Sequence, residues 1–282
     1  MRNLIHQMIE PSPTAEQLLR FYIDAGVDAV LTEQPINRLA PESVPVTDAP
    51  AAPSPVVETG HPTMAPQAPA IIPSAPPAPD VAAMAAREAA SSARTLEELR
   101  ELLNNFDGCA LKATATQLVF SRGNPQAKIM FVGEAPGRDE DLAGEPFVGR
   151  SGKLLDLMLA SIGLDNSTVY IANIIPWRPP GNRTPTPQET QICLPFVRRQ
   201  IELVNPDVLV CLGNPSSQGI LGTKEGIMRT RGRWMEYDTG TRAIRAMATF
   251  HPAYLLRSPA YKRLAWQDFR AIKKALTTGP PS

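Results

Sequence analysis

The chain has 282 residues, 43% of them apolar, which is enough for the core of one large domain or two small ones. It has no apolar run of bilayer-spanning length and no secretory pattern at its start, which argues against a membrane or secreted protein. Three cysteines are an odd and small number, so we expect free thiols and a cytoplasmic location.

The zero net charge conceals an asymmetry between two parts of the chain. Residues 1–92 hold four of the 28 basic and ten of the 28 acidic side chains, which leaves 24 basic and 18 acidic side chains, a net charge of +6, in the rest. A moderately basic body suits a polyanionic partner, because each cation set against a phosphate releases counterions. Ordinary surface charge gives the same count, so the asymmetry does not decide between a polyanion-binding protein and one with ordinary surface charge.

The N-terminal part combines a helical pattern with a proline-rich stretch. Residues 14–34 place apolar side chains at helical spacing, with Thr14 as N-cap and Gly26 as an interruption, and predict a short helical N-terminal segment over residues 1–34. From Pro35 to Pro79 the chain carries 13 of its 30 prolines, which remove backbone donors and leave no periodic apolar face. Residues 35–92 are therefore predicted to be a Pro/Ala-rich disordered linker leading into a helix.

The main domain is predicted to span residues 93–282. A helix-like stretch covers about Asp80 to Asn105, and within it Thr95 followed by Glu98 has the spacing of a capping box. After this stretch, apolar runs and helical patterns alternate along the chain.

Four apolar runs have the composition of buried parallel strands. They are Lys128–Gly133, Val169–Ile175, Asp207–Gly213 and Ile244–Phe250. Helical patterns are found at Ser151–Ile162, Pro187–Val204, Pro215–Leu221 and about Tyr261–Leu276. This order predicts an α/β fold, a three-layer α/β/α sandwich with a central four-stranded parallel sheet.

Ligands of such sheets bind just beyond the carboxyl ends of the strands. An unusual sequence ends each predicted strand: GEAPG after the first, Asn173 late in the second, GNPSS after the third, and His251-Pro252 after the fourth. Four separate segments are therefore expected to meet at one site.

The longest informative segment is GEAPGRDEDLAGEPFVGRSGKLLD, Gly133 to Asp156. Its glycines and prolines predict a tight loop that leads through Arg150 and Ser151 into a helix N-terminus, where an anion is favoured. A purely structural turn is the alternative. The segment lacks the G-x-x-x-x-G-K-[ST] spacing of a nucleotide P-loop.

This segment, together with YIANIIPWRPPGNRTPTP and FHPAYLLR, resembles the uracil-DNA glycosylase superfamily and specifically its family 4. The pieces keep the family's order and spacing, and the resemblance covers about Leu96 to Leu276. It implies a monomeric enzyme that flips uracil out of single- or double-stranded DNA and hydrolyses its N-glycosidic bond in base excision repair. Residues 93–282 would then be the catalytic domain.

By resemblance, five residues bind the base: Gly133, Ala135, Phe147, Asn173 and His251. Phe147 would stack on the uracil ring, an interaction worth roughly 1 to 3 kcal/mol. Asn173 would accept from N3–H and donate to O4, a pattern that cytosine reverses. His251 would donate to O2 as the bond breaks, which contributes about 3 to 4 kcal/mol. The chain's other two histidines lie in the N-terminal segment and the linker.

Water must also reach the sugar carbon. Ala135 and Gly137 stand where family 1 enzymes carry an aspartate and a thymine-excluding tyrosine, so the catalytic carboxylate is expected elsewhere. Glu134 is preferred because it adjoins a strand end. Glu140 and Asp141 are further candidates, with loop-ordering or solvated carboxylates as the alternative.

Contacts to DNA are expected around this pocket, where backbone contacts fix the register of the nucleic acid. Arg257 is the preferred wedge into the gap that a flipped base leaves. The DNA-binding residues are predicted to be Ser151, Asn182, Arg183, Ser216, Ser217, Leu256 and Arg257.

The chain departs from family 4 at its metal centre. Family 4 enzymes typically bind a [4Fe–4S] cluster through four cysteines, and the matching positions here are Phe106, Cys109, Trp177 and Cys193. Two thiolates cannot hold the usual cluster, so we predict a protein without cofactor or metal whose aromatic residues fill the cluster's volume. Cys211 is predicted to lie in the core.

Two other functions fit parts of the pattern. One is the superfamily branch that traps itself covalently on DNA through a histidine in an inserted loop, and Gly137–Phe147 has no histidine. The other is a non-catalytic reader of uracil-containing DNA, which would need neither Glu134 nor His251. The acidic N-terminal segment either docks a repair or replication protein or only tethers the domain.

Overall fold

A computed structural model describes Glu16 and residues 79–277, and the structural statements below concern these residues. The helix predicted within residues 14–34 and most of the predicted linker lie outside them. The helices are α1 (Pro79–Ser92), α2 (Leu96–Asn105), α3 (Arg138–Ala143), α4 (Arg150–Ala160), α5 (Pro187–Val204), α6 (Asn214–Leu221), α7 (Ile227–Thr230), α8 (Pro252–Arg257) and α9 (Lys262–Thr277). The strands are β1 (Arg122–Gly123), β2 (Ile129–Gly133), β3 (Val169–Asn173), β4 (Val208–Leu212), β5 (Trp234–Asp238) and β6 (Ala243–Thr249). None of the described helices has the length and apolarity needed to cross a membrane.

The strands form one sheet in the order β1-β3-β2-β4-β6-β5. The four predicted strands pair in parallel at its centre, and β1 and β5 pair antiparallel at its edges. The sheet is therefore six-stranded and mixed, larger than the four-stranded parallel sheet predicted. The edge strands escaped prediction because β1 has two residues and β5 alternates exposed with half-buried side chains. Neither is a buried apolar run.

Successive side chains of the central strands pack on opposite faces of the sheet, as strand geometry requires. Met130 and Val132 of β2 join the core formed with α1, α2, α5 and α6. Ile129 and Phe131 join the core formed with α4 and α9. The fold is thus the predicted α/β/α sandwich.

Helix α1 belongs to the folded body. Ala82, Ala86 and Ala90, four residues apart on one face, are buried in the same core as α5. The packed unit therefore begins no later than Pro79, whereas the sequence pattern predicts a domain that starts at residue 93.

Polar caps fix the starts of α2 and α5, two helices that pack in the same core as α1. Thr95 accepts from the Glu98 backbone N–H, as predicted for α2, but the Glu98 carboxylate takes the N–H of Arg94 instead of that of Thr95. Thr186 and Glu189 form a complete capping box at the start of α5. This cap ends the loop of residues 179–185, which borders the site described next.

Candidate active site

A cavity of about 570 Å³ opens at the carboxyl edge of the sheet. Its wall includes Glu134 after β2, Asn173 at the end of β3, Asn214 after β4 and His251 after β6, and residues 179–185 border one side. The four segments that were expected to meet therefore do so, because parallel strands end at a common edge.

Gly133 and Asn173 pair in register on neighbouring strands and form the floor of the site. A Cβ atom at residue 133 would lie 2.4 Å from Asn173 Oδ1 and 2.6 Å from Phe147 Cζ, so only glycine admits both side chains. Asn173 is 5% exposed, and its Oδ1 is buried without a hydrogen bond from any described residue. Buried acceptors usually have a donor, so this oxygen is suited to receive one from a ligand.

Phe147 forms an aromatic wall of the cavity and is held in a rare backbone conformation. Its φ is 58°, in the left-handed region that bulky residues avoid. Gly152 in the first turn of α4 makes this loop feasible, because a Cβ there would lie 1.7 Å from Phe147 O. The Phe147 ring stacks at 5.4 Å from the His251 ring, with 30° between their planes. Strain of this kind is typical of residues held in place for function.

His251 caps α8 with its own ring: Nδ1 accepts the backbone N–H of Ala253 at 3.1 Å. Burial, aided by the nearby charge of Arg257, lowers the pKa of His251 to about 4. The imidazole is therefore neutral at pH 7. Because Nδ1 accepts, the proton is on Nε2, which leaves one N–H to donate to a ligand.

Glu134 lines the cavity next to the end of β2. Its side chain is partly buried, and burial raises the pKa of this carboxyl. It forms no hydrogen bond or ion pair with the other described side chains. Ala135 and Gly137 follow it along the same wall and place no polar side chain there.

Glu140 orders two loops of the site. Its Oε2 accepts the N–H of Gly137 at 3.0 Å, and its Oε1 accepts the N–H of Gly149 at 2.9 Å. The residue lines the cavity, but both carboxylate oxygens are engaged. The geometry supports the loop-ordering alternative for Glu140 over a role in activating water.

Asp141 is not part of the site. It is 3% exposed, and its carboxylate accepts the N–H and the hydroxyl of Thr116 at 2.9 and 2.8 Å. The structure thus contradicts the catalytic role suggested for Asp141. The next residue along a helix points about 100° away, so Glu140 and Asp141 face different surroundings.

The predicted DNA-binding residues divide into two groups. Five of them lie at the mouth of the cavity or in the groove beside it: Ser151, Asn182, Arg183, Leu256 and Arg257. Within this group Arg183 already forms a two-bonded ion pair with Glu189, and Asn182 accepts from Arg178 at 2.6 Å. Arg257 and Leu256 are exposed.

Ser216 and Ser217 are inaccessible to a DNA backbone, so the prediction for these two residues is wrong. Both are fully buried, with hydroxyls donating to Val132 O at 2.6 Å and Asn214 O at 3.0 Å. Helix α6 turns Ser216 toward β2, and Ser217 bonds back to its own helix. Asn214, two residues before Ser216 in the same GNPSS motif, lines the cavity instead and was missed, as was Tyr254.

The four positions aligned with cluster ligands lie in or against one buried core. Trp177 is 2% exposed and shares a core with Cys109 and Cys193, while Phe106 packs edge-on against Phe196 at 5.2 Å. The two sulfur atoms lie 3.8 Å apart as free thiols. The hydrogen bond to Cys109, together with burial, raises the pKa of Cys193 well above its usual value.

These residues do not fit an iron–sulfur cluster. A [4Fe–4S] cluster needs four thiolates, and the set here offers two thiols beside an indole and a phenyl ring. No group of three or more metal-binding side chains occurs in the part of the chain that the structure describes. Cys211 is buried in β4, as predicted, and burial raises the pKa of its thiol to about 12.

Fold and cavity together define an α/β/α protein with a cavity between an aromatic wall and a buried amide at the carboxyl edge of its sheet. Comparison with known proteins gives the family. The family model described as "Uracil DNA glycosylase superfamily" matches residues 120–270, and this chain belongs to that superfamily.

Several relatives carry the type-4 name. The chain is 45% identical over 168 residues to the type-4 uracil-DNA glycosylase of Archaeoglobus fulgidus, covering 58% of this chain and 84% of the relative. It is 41% identical over 186 residues to that of Thermotoga maritima, covering 64% of this chain and 95% of the relative. A type-5 uracil-DNA glycosylase of Pyrobaculum aerophilum is 28% identical over 149 residues, covering 47% of this chain and 64% of that protein. The similarity is thus of the family 4 kind.

Proposed function

We propose that this protein is a monofunctional uracil-DNA glycosylase, which hydrolyses the bond between uracil and deoxyribose and leaves an abasic site for base excision repair. The observation that carries the proposal is the meeting of Phe147, Asn173 and His251 around one cavity at the end of the sheet. Each offers a different contact to one flipped base: a ring face, an amide and a neutral N–H. A cytoplasmic monomer acting on single- or double-stranded DNA completes the proposal.

Recognition of the base is assigned to Asn173. The uracil N3–H is the donor that its unpaired Oδ1 lacks, while the amide N–H₂ donates to O4. Cytosine presents an acceptor at N3 and an amino group at C4, so it would leave the buried oxygen unpaired. Such an unpaired buried group costs about 1 to 3 kcal/mol, which favours uracil over cytosine.

Departure of the base is assigned to His251. As the glycosidic bond breaks, negative charge develops on the uracil, and the Nε2–H donates to O2 where that charge accumulates. The lowered pKa supports hydrogen-bond donation by a neutral imidazole, which keeps its proton and does not act as a general acid. The backbone N–H of Ala253 holds the ring in the required tautomer.

Attack by water is assigned to Glu134. Its partly buried carboxylate has no partner among the described side chains, so it is available to orient a water molecule or stabilise the positive charge on the sugar. Glu140 instead joins the loops that carry Glu134 and Phe147. A substitution at Glu134 should therefore lower kcat and leave the free energy of unfolding close to that of the wild type.

The test is incubation with a uracil-containing oligonucleotide followed by alkaline cleavage of abasic sites. We expect strand scission with wild type, a loss of roughly 100- to 1000-fold in kcat for His251→Ala, and a marked loss for Asn173→Ala. Glu134→Gln should lower kcat, whereas Asp141→Asn, its control, should change stability and leave kcat near wild type. No scission by the wild-type protein would refute the proposal.

The same experiment separates the two other functions. A protein adduct that survives a denaturing gel would indicate covalent trapping, and tight binding without scission would indicate a non-catalytic reader. Oligonucleotides with thymine, hypoxanthine, or uracil opposite A, G or nothing define the substrate range. Gly137 leaves the pocket without the tyrosine that excludes thymine in family 1. Excision of thymine is therefore the most informative test of the substrate range.

We also propose that the enzyme folds and works without an iron–sulfur cluster. The burial of Trp177 in the core that holds Cys109 and Cys193, with Phe106 packed against it, supports this, because apolar packing would replace the stabilisation that four thiolate–iron bonds give. Purified protein should be colourless and contain no stoichiometric iron or acid-labile sulfide. A brown protein that absorbs near 400 nm would contradict the proposal.

A further inference from the structure

A second cavity, of about 480 Å³, continues from the mouth of the active-site cavity. We call it the arginine groove, because its rim carries Arg138, Arg150 and Arg257. Ser151 and Asn182 line both cavities, so the groove leads directly from the base pocket. A nucleic-acid strand that leaves the pocket on this side must pass the three guanidinium groups.

The three arginines of the groove share one property: their side chains have no partner among the described residues. All three are exposed, and none of their side chains forms a hydrogen bond or ion pair with another described residue. Six other described arginines are paired with carboxylates, at residues 122, 183, 199, 231, 233 and 242, whereas Arg100 is exposed and unpaired but lies on neither cavity. Three unpaired cations around one groove repel one another, and an anionic ligand relieves that repulsion.

We propose that the arginine groove binds the phosphodiester groups of the DNA strand that carries the flipped deoxyuridine. Guanidinium groups bind phosphate oxygens through parallel hydrogen bonds, and the Ser151 hydroxyl adds a donor. Leu256, 36% exposed on the same groove, supplies the apolar surface that stacked bases require. This inference rests on the proposed function and adds Arg138 and Arg150 to the residues that hold the substrate.

Two carboxylates, Asp139 and Glu140, also line the groove and affect its charge differently. Glu140 is buried, and its carboxylate faces the N–H groups of Gly137 and Gly149. Asp139 is exposed and opposes phosphate binding by its charge. Removing a cation and removing this anion should therefore act in opposite directions on the affinity for DNA.

The test measures affinity against salt concentration with fluorescently labelled oligonucleotides of equal length, with and without uracil. Arg138→Gln, Arg150→Gln and Arg257→Gln should each reduce the slope of log K against log[salt] by about 0.7 to 0.9 for each phosphate that the variant no longer neutralises. Asp139→Asn should bind more tightly than wild type at low salt. Arg100→Gln is the matched control, because Arg100 is exposed on α2, away from both cavities, and should leave the slope unchanged.

The outcomes separate this inference from the proposed function. If the wild type excises uracil and the three arginine variants keep its salt slope, the arginine groove is not the phosphate site. If the wild type excises nothing but the variants bind uracil-free DNA more weakly, the groove is supported and the glycosylase proposal fails. If Arg100→Gln reduces the slope equally, DNA is attracted by the overall positive charge of the domain. That result would overturn the proposal that the arginine groove binds its phosphates.

Discussion

At the scale of single residues, the floor of the active-site cavity requires glycine at residue 133, because no side chain fits there. In Gly133→Ala the new Cβ would approach Asn173 Oδ1 and the Phe147 ring to well below normal contact distances, so one or both side chains must move. We expect a loss of at least about tenfold in kcat/KM, since a misplacement of about 1 Å can cost two decades. Steady-state excision of uracil measures it.

Gly226 provides the matched control for this substitution. Nothing lies within 4 Å of a Cβ atom built there, and its φ of −70° suits any residue. Gly226→Ala should therefore excise uracil at the wild-type rate. An unimpaired Gly133→Ala variant would mean that the Asn173 and Phe147 positions are not required.

His251 makes the stability of the domain depend on pH. Its pKa is about 4 in the folded protein and about 6.5 when unfolded, so between these values only the unfolded chain gains the proton. The stabilisation is complete above about pH 6.5 and is lost as the pH falls toward 4. Denaturant titrations from neutral pH down to about pH 5 should show the decline, and His251→Gln should show a smaller one. Parallel declines in both proteins would assign the effect to other groups.

At the scale of elements, the aromatic residues Phe106 and Trp177 beside α5 allow a test of the proposal that the protein folds without an iron–sulfur cluster. The double variant Phe106→Cys/Trp177→Cys places four cysteines in or against one buried core, where two of them, Cys109 and Cys193, are already in contact. We expect it to bind iron and acid-labile sulfide after anaerobic reconstitution and to absorb near 400 nm. Chemical iron and sulfide analysis measures the result.

The control replaces both aromatic residues with leucine. Phe106→Leu/Trp177→Leu should lose stability by a few kcal/mol, because large buried side chains are shortened, and should bind no iron. If the cysteine variant also binds none, the four positions do not form a ligand set and the interpretation that Phe106 and Trp177 replace the cluster fails.

The elements also show what the sequence predicts well. The central strands and long helices were predictable because buried apolar runs and 3.6-residue periodicity come from burial itself. Strand β5 was not, since its half-exposed pattern carries no such signal. At the site, strand ends predicted Asn173 and His251, whereas Ser216 and Asp141 failed because the direction of a side chain on a short helix depends on packing.

At the scale of the whole molecule, the packing of α1 sets the smallest stable form of the domain. A fragment of residues 79–282 should keep the melting temperature of the domain and its activity on free oligonucleotides. A fragment of residues 93–282 loses α1 and exposes the apolar surface beneath Ala82, Ala86 and Ala90. We expect its melting temperature to fall by about 5 °C or more, equivalent to ~2 kcal/mol. Equal melting temperatures for the two fragments would place α1 outside the cooperative unit.

The register pairing of Gly133 with Asn173 has a consequence for how the enzyme ends its reaction. Because the pocket floor belongs to the sheet, its shape exists before any DNA arrives. Under the proposed mechanism, the released base would meet the same contacts as the flipped nucleotide, without the cost of unstacking a duplex. Free uracil should therefore compete with uracil-containing DNA for the pocket. Turnover should slow as the product accumulates, so release of the free base becomes part of the catalytic cycle.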